Sequence, residues 1–230
     1  MVQKILNSYK SIIFLNGEIP NKKLFDYINL NVPIIAADGA SNKLKNYLIE
    51  PTFNIGDGDS IGNNKPNSFI KILDQNKTDF EKSIIFAKNL NLLPALVLGI
   101  SGGEIDHTIG NTQIIMKYSD DNSLFFLDTY HQKNSIKAKL GIVLNKKEFN
   151  LKLNENSIIT IVSFEESVIS TKGLKWDLKN KNMNHNYYSL RNYNTSKEVL
   201  FKVSKGKTLI ILDITQEILS LKKPFVKIPI

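Results

Sequence analysis

Short apolar runs alternate with longer mixed segments over the first half of the chain. Five runs of four or five residues have the length of buried strands: Ser11–Leu15, Pro33–Ala37, Thr52–Ile55, Ala95–Leu98 and Ser123–Leu127. Between them, Thr78–Leu90 and Ile105–Tyr118 have the length and composition of helices. Because strands that alternate with helices form parallel sheets covered by those helices, the pattern predicts a three-layer α/β domain.

The pattern changes near His131. Beyond this residue, alternating or β-branched runs are separated by polar turns without a helical period: Ser135–Leu144, Glu148–Leu153, Ser157–Phe164, Glu198–Val203 and Thr208–Thr215. Such a series is typical of an antiparallel sandwich or barrel. We therefore predict an α/β domain over residues 1–130 followed by an all-β, antiparallel domain over residues 131–230. The long polar segment Lys179–Ser196 is predicted to be a loop of the kind that is often functional.

The composition is that of a folded protein, because 42% of the 230 residues are apolar and 23% are charged. This excludes a disordered tail and a disulfide-rich miniprotein. The longest apolar runs, such as Pro94–Ile100, are much shorter than the roughly 20 residues of a membrane-spanning helix. No signal-like apolar core follows Met1, and there is no cysteine for an oxidising compartment to use. We expect a cytoplasmic protein without a membrane partner.

The net charge of +8 is compatible with a polyanionic partner. However, Arg191 is the only arginine, and the lysines are spread from Lys4 to Lys227 instead of being clustered. Proteins that read a nucleic-acid duplex usually rely on arginine for bidentate base contacts and concentrate their charge on one face. We therefore expect no nucleic-acid partner.

Carboxylates follow two of the predicted strands, at the edge where ligands bind in parallel α/β sheets. Asp38 follows the second strand in an Asp-Gly pair, which is also ordinary turn chemistry. Asp57 and Asp59 follow the third strand in a glycine-flanked turn. Two carboxylates this close raise each other's pKa, whereas a hard cation such as Mg²⁺ binds their oxygens and bridges them to substrate phosphates. The turn predicts a metal site, with a solvated acidic turn as the alternative.

The start of the predicted helix Thr78–Leu90 carries a second group of charged residues. Thr78 and Glu81 have the spacing of a capping box, and Asp79 suits the positive end of the helix dipole. Lys82 does not suit it, because a cation one turn from a helix N-terminus gains nothing from the dipole. Its position therefore favours a phosphate contact.

A glycine-rich turn containing Gly102 and Gly103 joins the strand Ala95–Leu98 to the next helix. Exposed backbone N–H groups in such a turn bind anions. Its spacing is neither that of a Walker loop nor that of the dinucleotide-binding fingerprint. His107 has two interpretations, one as a residue near the ligand and the other as a buried structural histidine.

Together, these segments resemble the motifs of the thiamine pyrophosphokinase family, in the same order along the chain. The matching segments are Ala37–Ala40, Gly56–Ser60, Thr78–Asp79 with Lys82, Gly102–His107 with Asn111, and Lys172–Trp176. The family joins an α/β nucleotide domain to a β-sandwich. The resemblance therefore also accounts for the change of pattern near His131.

The resemblance implies transfer of a diphosphoryl group from ATP to the hydroxyethyl oxygen of thiamine, which gives thiamine diphosphate and AMP. It implies Mg²⁺ as the cofactor, held by Asp38, Asp57, Asp59 and Asp79. The last three of these and Lys82 are the implied catalytic residues. The implied nucleotide-binding residues are Asp38, Gly39, Ser60, Gly102, Gly103, Asp106, His107 and Asn111. The general base is not assigned, and an aspartate near the hydroxyl is the expectation.

Thiamine is a cation with two flat rings, so its site needs an aromatic face. By resemblance, the only tryptophan, Trp176, stacks on one of these rings, and Ser189 and Asn192 are further substrate-binding residues. The alternative is a tryptophan in the core of the β domain. The family's site lies between the α/β domain of one subunit and the β domain of another, which implies a homodimer.

The chain departs from the family's pattern in three places. Glu104 stands where the family usually has an arginine, and Gly58 replaces a bulkier residue. The family's Ser-Asn pair is only approximated, by Ser189 and Arg191–Asn192 or by Thr195–Ser196. Two other functions stay open: a pyrophosphokinase for a pterin-type substrate, and a thiamine- or nucleotide-binding protein without catalysis. The tryptophan motif and the β domain argue against the first, and the intact aspartates argue against the second.

Overall fold

The computed structural model describes residues 6, 8–20, 22–59, 68–120, 123–132, 135–184 and 187–215. These residues form two compact units, Leu6–Ile114 and 115–215. The boundary near residue 131 was predicted from the change of sequence pattern, not from the compactness of the two units. It stays a prediction.

The first unit is built on a parallel sheet with helices in the connections between its strands. Its strands are β1 (Ser11–Phe14), β2 (Ile34–Ala37), β3 (Phe53–Gly56), β4 (Phe69–Lys71) and β5 (Ala95–Leu98). Its helices are α1 (Lys22–Phe25), α2 (Ala40–Lys45), α3 (Asp79–Asn89) and α4 (Ile105–Tyr118), the last of which continues past Ile114. The strand order is β5-β1-β2-β3-β4, and each neighbouring pair is parallel. The prediction of a parallel sheet is confirmed for four of the predicted strands, which form β1, β2, β3 and β5. Strand β4 was not predicted, and the fifth predicted strand, Ser123–Leu127, lies in the second unit.

The central strands of this sheet are apolar because both of their faces are covered. Every residue of β1, β2 and β5 is buried, as expected for a parallel sheet between helices. The connection from β1 leads to β2 on one side, whereas β5 returns to the other side of β1. The direction of the connections therefore reverses at β1, and ligands bind at such a point in open α/β sheets.

The second unit is antiparallel, as predicted. Its strands are β6 (Leu124–Gln132), β7 (Ser135–Asn145), β8 (Glu148–Lys152), β9 (Ile158–Val162), β10 (Ser167–Lys172), β11 (Lys181–Met183), β12 (Ser189–Tyr193), β13 (Glu198–Lys205) and β14 (Lys207–Asp213). They pair in two groups, β12-β9-β14-β7-β6 and β11-β10-β13-β8. Buried and less buried residues alternate along β9 and β10, so one face of each strand packs into the core.

The prediction that Lys179–Ser196 is a loop is wrong, because this segment contains β11 and β12. Among the described strands, each lies at the edge of its group. Strand β11 pairs with β10, and β12 pairs with β9 through a register shift between Ser189 and Asn192. Short, polar edge strands are common because they resist pairing with other chains. Strand β11 has only three residues, and β12 has an irregular register. Neither shows the alternation of apolar and polar residues by which a strand is predicted from sequence.

A glycine and a phenylalanine face each other across β6 and β7. Phe126 pairs with Gly141 in the ladder, and a Cβ atom added to Gly141 would lie 2.0 Å from Cε1 of the Phe126 ring. Phe126 is only 5% exposed, so its ring has little space into which to move. The Phe126 ring therefore occupies the space that a side chain at residue 141 would fill.

We expect the substitution Gly141→Ala to lower the free energy of unfolding by about 1–3 kcal/mol, the usual cost of overpacking a core. Urea denaturation of the wild-type chain and the variant measures this cost. The same substitution in a Phe126→Leu background should cost less, since the smaller side chain leaves room for the new methyl group. An equal cost in both backgrounds would contradict this explanation.

Candidate active site

The carboxyl ends of β1, β2 and β5 open into a cleft of about 620 Å³. Residues that follow each of these strands line the cleft, together with the first residues of α3: Asn16, Gly17, Asp38, Gly39, Thr78, Asp79, Gly103, Asp106, His107 and Asn111. A volume of this size suits a small-molecule ligand. The cleft lies at the carboxyl ends of the strands, where the sequence analysis expected a ligand site, and the structure adds that the strand connections reverse direction there.

Three carboxylates from separate elements meet at one end of the cleft. Asp38 follows β2, Asp57 follows β3 and Asp79 is the first residue of α3, and one oxygen of each lies within 4.8 Å of the others. Asp38 is 3% exposed. A Cβ atom on Gly56 would lie 2.6 Å from Oδ1 of Asp38, so the glycine is needed for this carboxylate to fit.

Lys82 is the buried cation of the cluster. It is 4% exposed, and its Nζ donates a hydrogen bond to Oδ1 of Asp79 over 2.9 Å. Burial raises the pKa of Asp79, and the negative charges of Asp38 and Asp57 raise it further, while Lys82 acts in the opposite direction. One ammonium therefore leaves part of the negative charge of three carboxylates uncompensated.

The pKa of Asp57 is lowered, in contrast to that of Asp79. The largest cause is the backbone N–H of Asp59, which donates to Oδ1 of Asp57 over 3.2 Å. Nε2 of Gln75 donates to the other carboxylate oxygen over 3.3 Å, and the charge of Lys82 acts in the same direction. Asp57 is thus held as a carboxylate. A set of carboxylate oxygens with excess negative charge fits a hard divalent cation such as Mg²⁺.

The predicted capping box fixes the start of α3. Oγ1 of Thr78 accepts a hydrogen bond from the backbone N–H of Glu81, and the backbone N–H of Thr78 donates to Oε2 of Glu81, both over 3.2 Å. The Glu81 carboxylate is therefore engaged in the cap. Because the cap sets where the helix begins, it also sets where Asp79 and Lys82 lie, one helical turn apart.

The glycine-rich turn is tied to the segment that follows β1. Gly99 and Gly102 have φ values of 73° and 83°, which favour glycine. A Cβ atom on Gly102 would lie 2.3 Å from Cβ of Glu18, whereas one on Gly103 would meet no atom within 4 Å. Gly103 therefore faces open space in the cleft wall. Nδ2 of Asn111 donates to the carbonyl of Ile100 over 3.2 Å, which links α4 to the turn.

His107 is exposed, which removes the interpretation as a buried structural histidine. A ring nitrogen of His107 and one oxygen each of Glu104 and Asp106 lie within 4.8 Å of one another, and all three residues are exposed. Nε2 of His107 is 3.9 Å from Oε2 of Glu104. The rim of the cleft at α4 therefore carries two carboxylates beside the histidine.

Asp59 and Ser60 were predicted to be site residues in the turn that carries Asp57. Asp59 is exposed, and its carboxylate is not one of the three that cluster; its backbone N–H instead donates to Asp57. Ser60 lies outside the described residues. Gln75 was missed by the sequence analysis; the only signal for it is a polar turn just before the capping residue Thr78.

The three predicted substrate residues of the β unit lie together. Nδ2 of Asn192 donates to the carbonyl of Trp176 over 2.9 Å and to Oγ of Ser189 over 3.4 Å, and its Oδ1 accepts from the Trp176 N–H over 3.3 Å. Asn192 is fully buried, whereas Trp176 is 58% exposed. This exposure excludes the alternative of a core tryptophan. The Trp176 ring contacts Tyr193 edge-on, with 5.6 Å between the ring centroids.

Asp177 holds the turn that carries Trp176. Its carboxylate accepts hydrogen bonds from the backbone N–H groups of Gly173 and Leu174 and from the hydroxyl of Thr171, over 3.0–3.2 Å. Gly173 has a φ of 99°, which requires glycine. The tryptophan is thus presented to solvent from a hydrogen-bonded turn.

The fold is that of solved thiamine pyrophosphokinases. The enzyme from Bacillus subtilis has 20% sequence identity and a TM-score of 0.70, covering 89% of this chain and 99% of that chain. The yeast enzyme has 18% identity and a TM-score of 0.71, covering 96% and 92%. Residues 26–126 match the family model described as "Thiamin pyrophosphokinase, catalytic domain". The predicted resemblance to the thiamine pyrophosphokinase family is confirmed.

Two further comparisons are negative. No curated protein matches the chain. Among the described residues, no helix has both the length and the apolar character that crossing a membrane requires.

The carboxylate cluster predicts binding of a divalent cation. Millimolar Mg²⁺ should raise the midpoint of thermal unfolding by several degrees, because a ligand that binds only the folded chain stabilises it. Asp57→Asn should abolish this shift, and differential scanning fluorimetry measures it.

The matched control is Glu104→Gln, which removes a carboxylate from the exposed group at the start of α4 and should leave the shift unchanged. Asp59→Asn tests whether the fourth aspartate belongs to the metal site. A full Mg²⁺ shift in Asp57→Asn, or its loss in Glu104→Gln, would place the cation elsewhere.

Proposed function

We propose that the chain is a thiamine pyrophosphokinase. It transfers the diphosphoryl group of ATP to the hydroxyethyl oxygen of thiamine and releases thiamine diphosphate and AMP. The observation that carries this proposal is the meeting of Asp38, Asp57 and Asp79 around buried Lys82 at the end of a cleft, in the segment that matches the catalytic-domain family.

ATP would enter the cleft with its phosphates toward the carboxylate cluster. The backbone of the Gly102–Gly103 turn would contact phosphate oxygens, and Gly39, Asp106, His107 and Asn111 would line the rest of the nucleotide site, with Ser60 as a further predicted contact. Asp38, Asp57 and Asp79 would hold Mg²⁺, and Asp59, whose carboxylate lies outside this cluster, would be a further ligand only after a change of position. When bound, this cation would neutralise the negative charge that develops on the phosphates during the transfer.

The reaction balances as a single displacement. The hydroxyethyl oxygen of thiamine bonds to the β-phosphorus of ATP, and the bond from this phosphorus to the oxygen shared with the α-phosphorus breaks. AMP leaves with that oxygen, and the hydroxyl proton passes to a base, for which an aspartate of the cluster is the candidate. Lys82 holds Asp79 in place and adds positive charge beside the phosphates. Positioning and electrostatics do most of the catalysis in such transfers.

Trp176 would provide the aromatic face for thiamine. Its ring is 58% exposed and forms a T-shaped pair with Tyr193, so it would offer aromatic surface on which a cationic ring can stack. Ser189 lies close to it through the shared hydrogen bonds of Asn192. In this proposal the cell compartment is the cytoplasm and the assembly is a homodimer, with the thiamine site completed between subunits.

The domain arrangement belongs to the same proposal. A three-layer α/β nucleotide domain over residues 1–130 would be followed by a β-sandwich thiamine domain over residues 131–230. The parallel sheet of the first unit and the two antiparallel strand groups of the second support this arrangement.

The proposed reaction is tested by chromatography of the products formed from ATP, thiamine and Mg²⁺. We expect AMP and thiamine diphosphate in equal amounts, and none without a divalent cation. Asp57→Asn should lower kcat by a factor of about 100 or more, the range seen when a catalytic electrostatic group is removed. ADP with thiamine monophosphate would show transfer of a single phosphoryl group, and thiamine binding without any product would favour a non-catalytic binding protein.

The role of Trp176 is tested by separating the two substrates. Trp176→Ala should raise the KM for thiamine about 5- to 30-fold, since a cation–π contact contributes about 1–2 kcal/mol. Trp176→Phe keeps an aromatic face and should recover much of the loss. Equal changes in the KM for ATP and for thiamine would contradict a stacking role.

A further inference from the structure

Lys43 connects α2 to the segment that follows β1. Its Nζ donates hydrogen bonds to the backbone carbonyl of Asn16 over 2.5 Å and to that of Gly17 over 2.7 Å. Asn16 and Gly17 line the cleft, whereas Lys43 does not. The lysine therefore reaches the cleft only through the backbone of these two residues.

Within the described part of the chain, the ammonium of Lys43 binds carbonyl oxygens and no carboxylate. Among the residues that the structure describes, no carboxylate lies within ion-pair distance of its Nζ. Backbone carbonyl oxygens carry partial negative charge, and unpaired carbonyls at the edge of a phosphate site repel an anion. An ammonium that binds both carbonyls removes this repulsion and leaves a positive charge behind the wall of the cleft.

The segment held by Lys43 is fixed on its other side by the glycine-rich turn. The N–H of Gly17 donates to the carbonyl of Gly99 over 3.1 Å, and the N–H of Glu18 donates to that of Ser101 over 2.6 Å. A Cβ atom on Gly17 would lie 2.2 Å from both of these carbonyl oxygens. The backbone of the segment is thus in close contact with the turn along its length.

Lys43 thereby joins three parts of the cleft. The helix that carries it starts directly after Asp38 and Gly39, which belong to the carboxylate cluster and the cleft wall. The segment that it holds is bonded to the turn containing Gly102. The glycine-rich turn binds the N–H groups of this segment, and Lys43 binds its carbonyl groups. Loss of the two Lys43 hydrogen bonds would therefore leave the carbonyls of Asn16 and Gly17 without this partner.

We propose that Lys43 is a positioning residue of the nucleotide cleft, which sets the affinity for the polyphosphate of ATP without touching it. This inference rests on the proposed function. The competing explanation is that Lys43 only stabilises α2, because a cation in the last turn of a helix interacts favourably with its dipole. Lys45 lies in the same last turn and is exposed, so it provides a matched control.

The test compares steady-state kinetics and calorimetric ATP·Mg²⁺ binding for the wild-type chain, Lys43→Met, Lys43→Arg and Lys45→Met. Lys43→Met should raise the KM and the Kd for ATP about five- to tenfold, the effect of losing a charged hydrogen-bond donor. Its kcat and its KM for thiamine should stay within a factor of two. Lys43→Arg, which also donates to two carbonyls, should recover most of the affinity, and Lys45→Met should match the wild type.

Each contrary result has a separate meaning. If the wild-type chain forms the products but Lys43→Met keeps the wild-type KM and Kd for ATP, the positioning role of Lys43 is refuted and the proposed function is not. A lower melting temperature of Lys43→Met would not change this conclusion. The inference also fails if Lys43→Met lowers only kcat, or if Lys45→Met weakens ATP binding equally. If the wild-type chain neither binds ATP nor forms a product, the proposed function fails and the inference falls with it.

Discussion

Three carboxylates held close together in a partly buried position are the constraint on which the rest of the first unit depends. Asp38, Asp57 and Asp79 repel one another, and Lys82 supplies only one positive charge among them. Such an arrangement costs folding free energy and persists because the surrounding elements leave the side chains no alternative place. A bound divalent cation would relieve the repulsion, so the chain's stability and its proposed chemistry are coupled through the same atoms.

Separate local contacts hold each of the three carboxylates in position despite their mutual repulsion. Gly56 leaves the space that Asp38 occupies, and the Asp59 N–H and Gln75 bind the two oxygens of Asp57. The capping box of Thr78 fixes the first turn of α3 and with it Asp79. In the other unit, a hydrogen-bonded turn presents Trp176 to solvent in a similar manner. Rigid surroundings of this kind lower the reorganisation needed when a ligand binds.

The sequence predicts the features that rest on local chemistry. The capping box, the strands β1, β2, β3 and β5, and the clustering of Asp38 with Asp57 follow from residue type and spacing, and the structure places them as expected. Asp59, which the same reasoning included, lies outside the cluster. It could not predict β11 and β12, which exist through pairing with distant strands and show no alternation of their own. The same limit applies to Gln75 and Lys43. Their partners are 18 and 26–27 residues away, and nothing in the neighbouring residues indicates such contacts.

The most direct test of the carboxylate cluster is a crystal structure of the chain with Mn²⁺ and a non-hydrolysable ATP analogue, with the manganese located by anomalous scattering. The account predicts an anomalous peak bound by oxygens of Asp38, Asp57 and Asp79, with the nucleotide's phosphates against it and its remaining atoms in the cleft. A peak at the exposed Glu104, Asp106 and His107 group alone, or a nucleotide bound without manganese at the three aspartates, would contradict it.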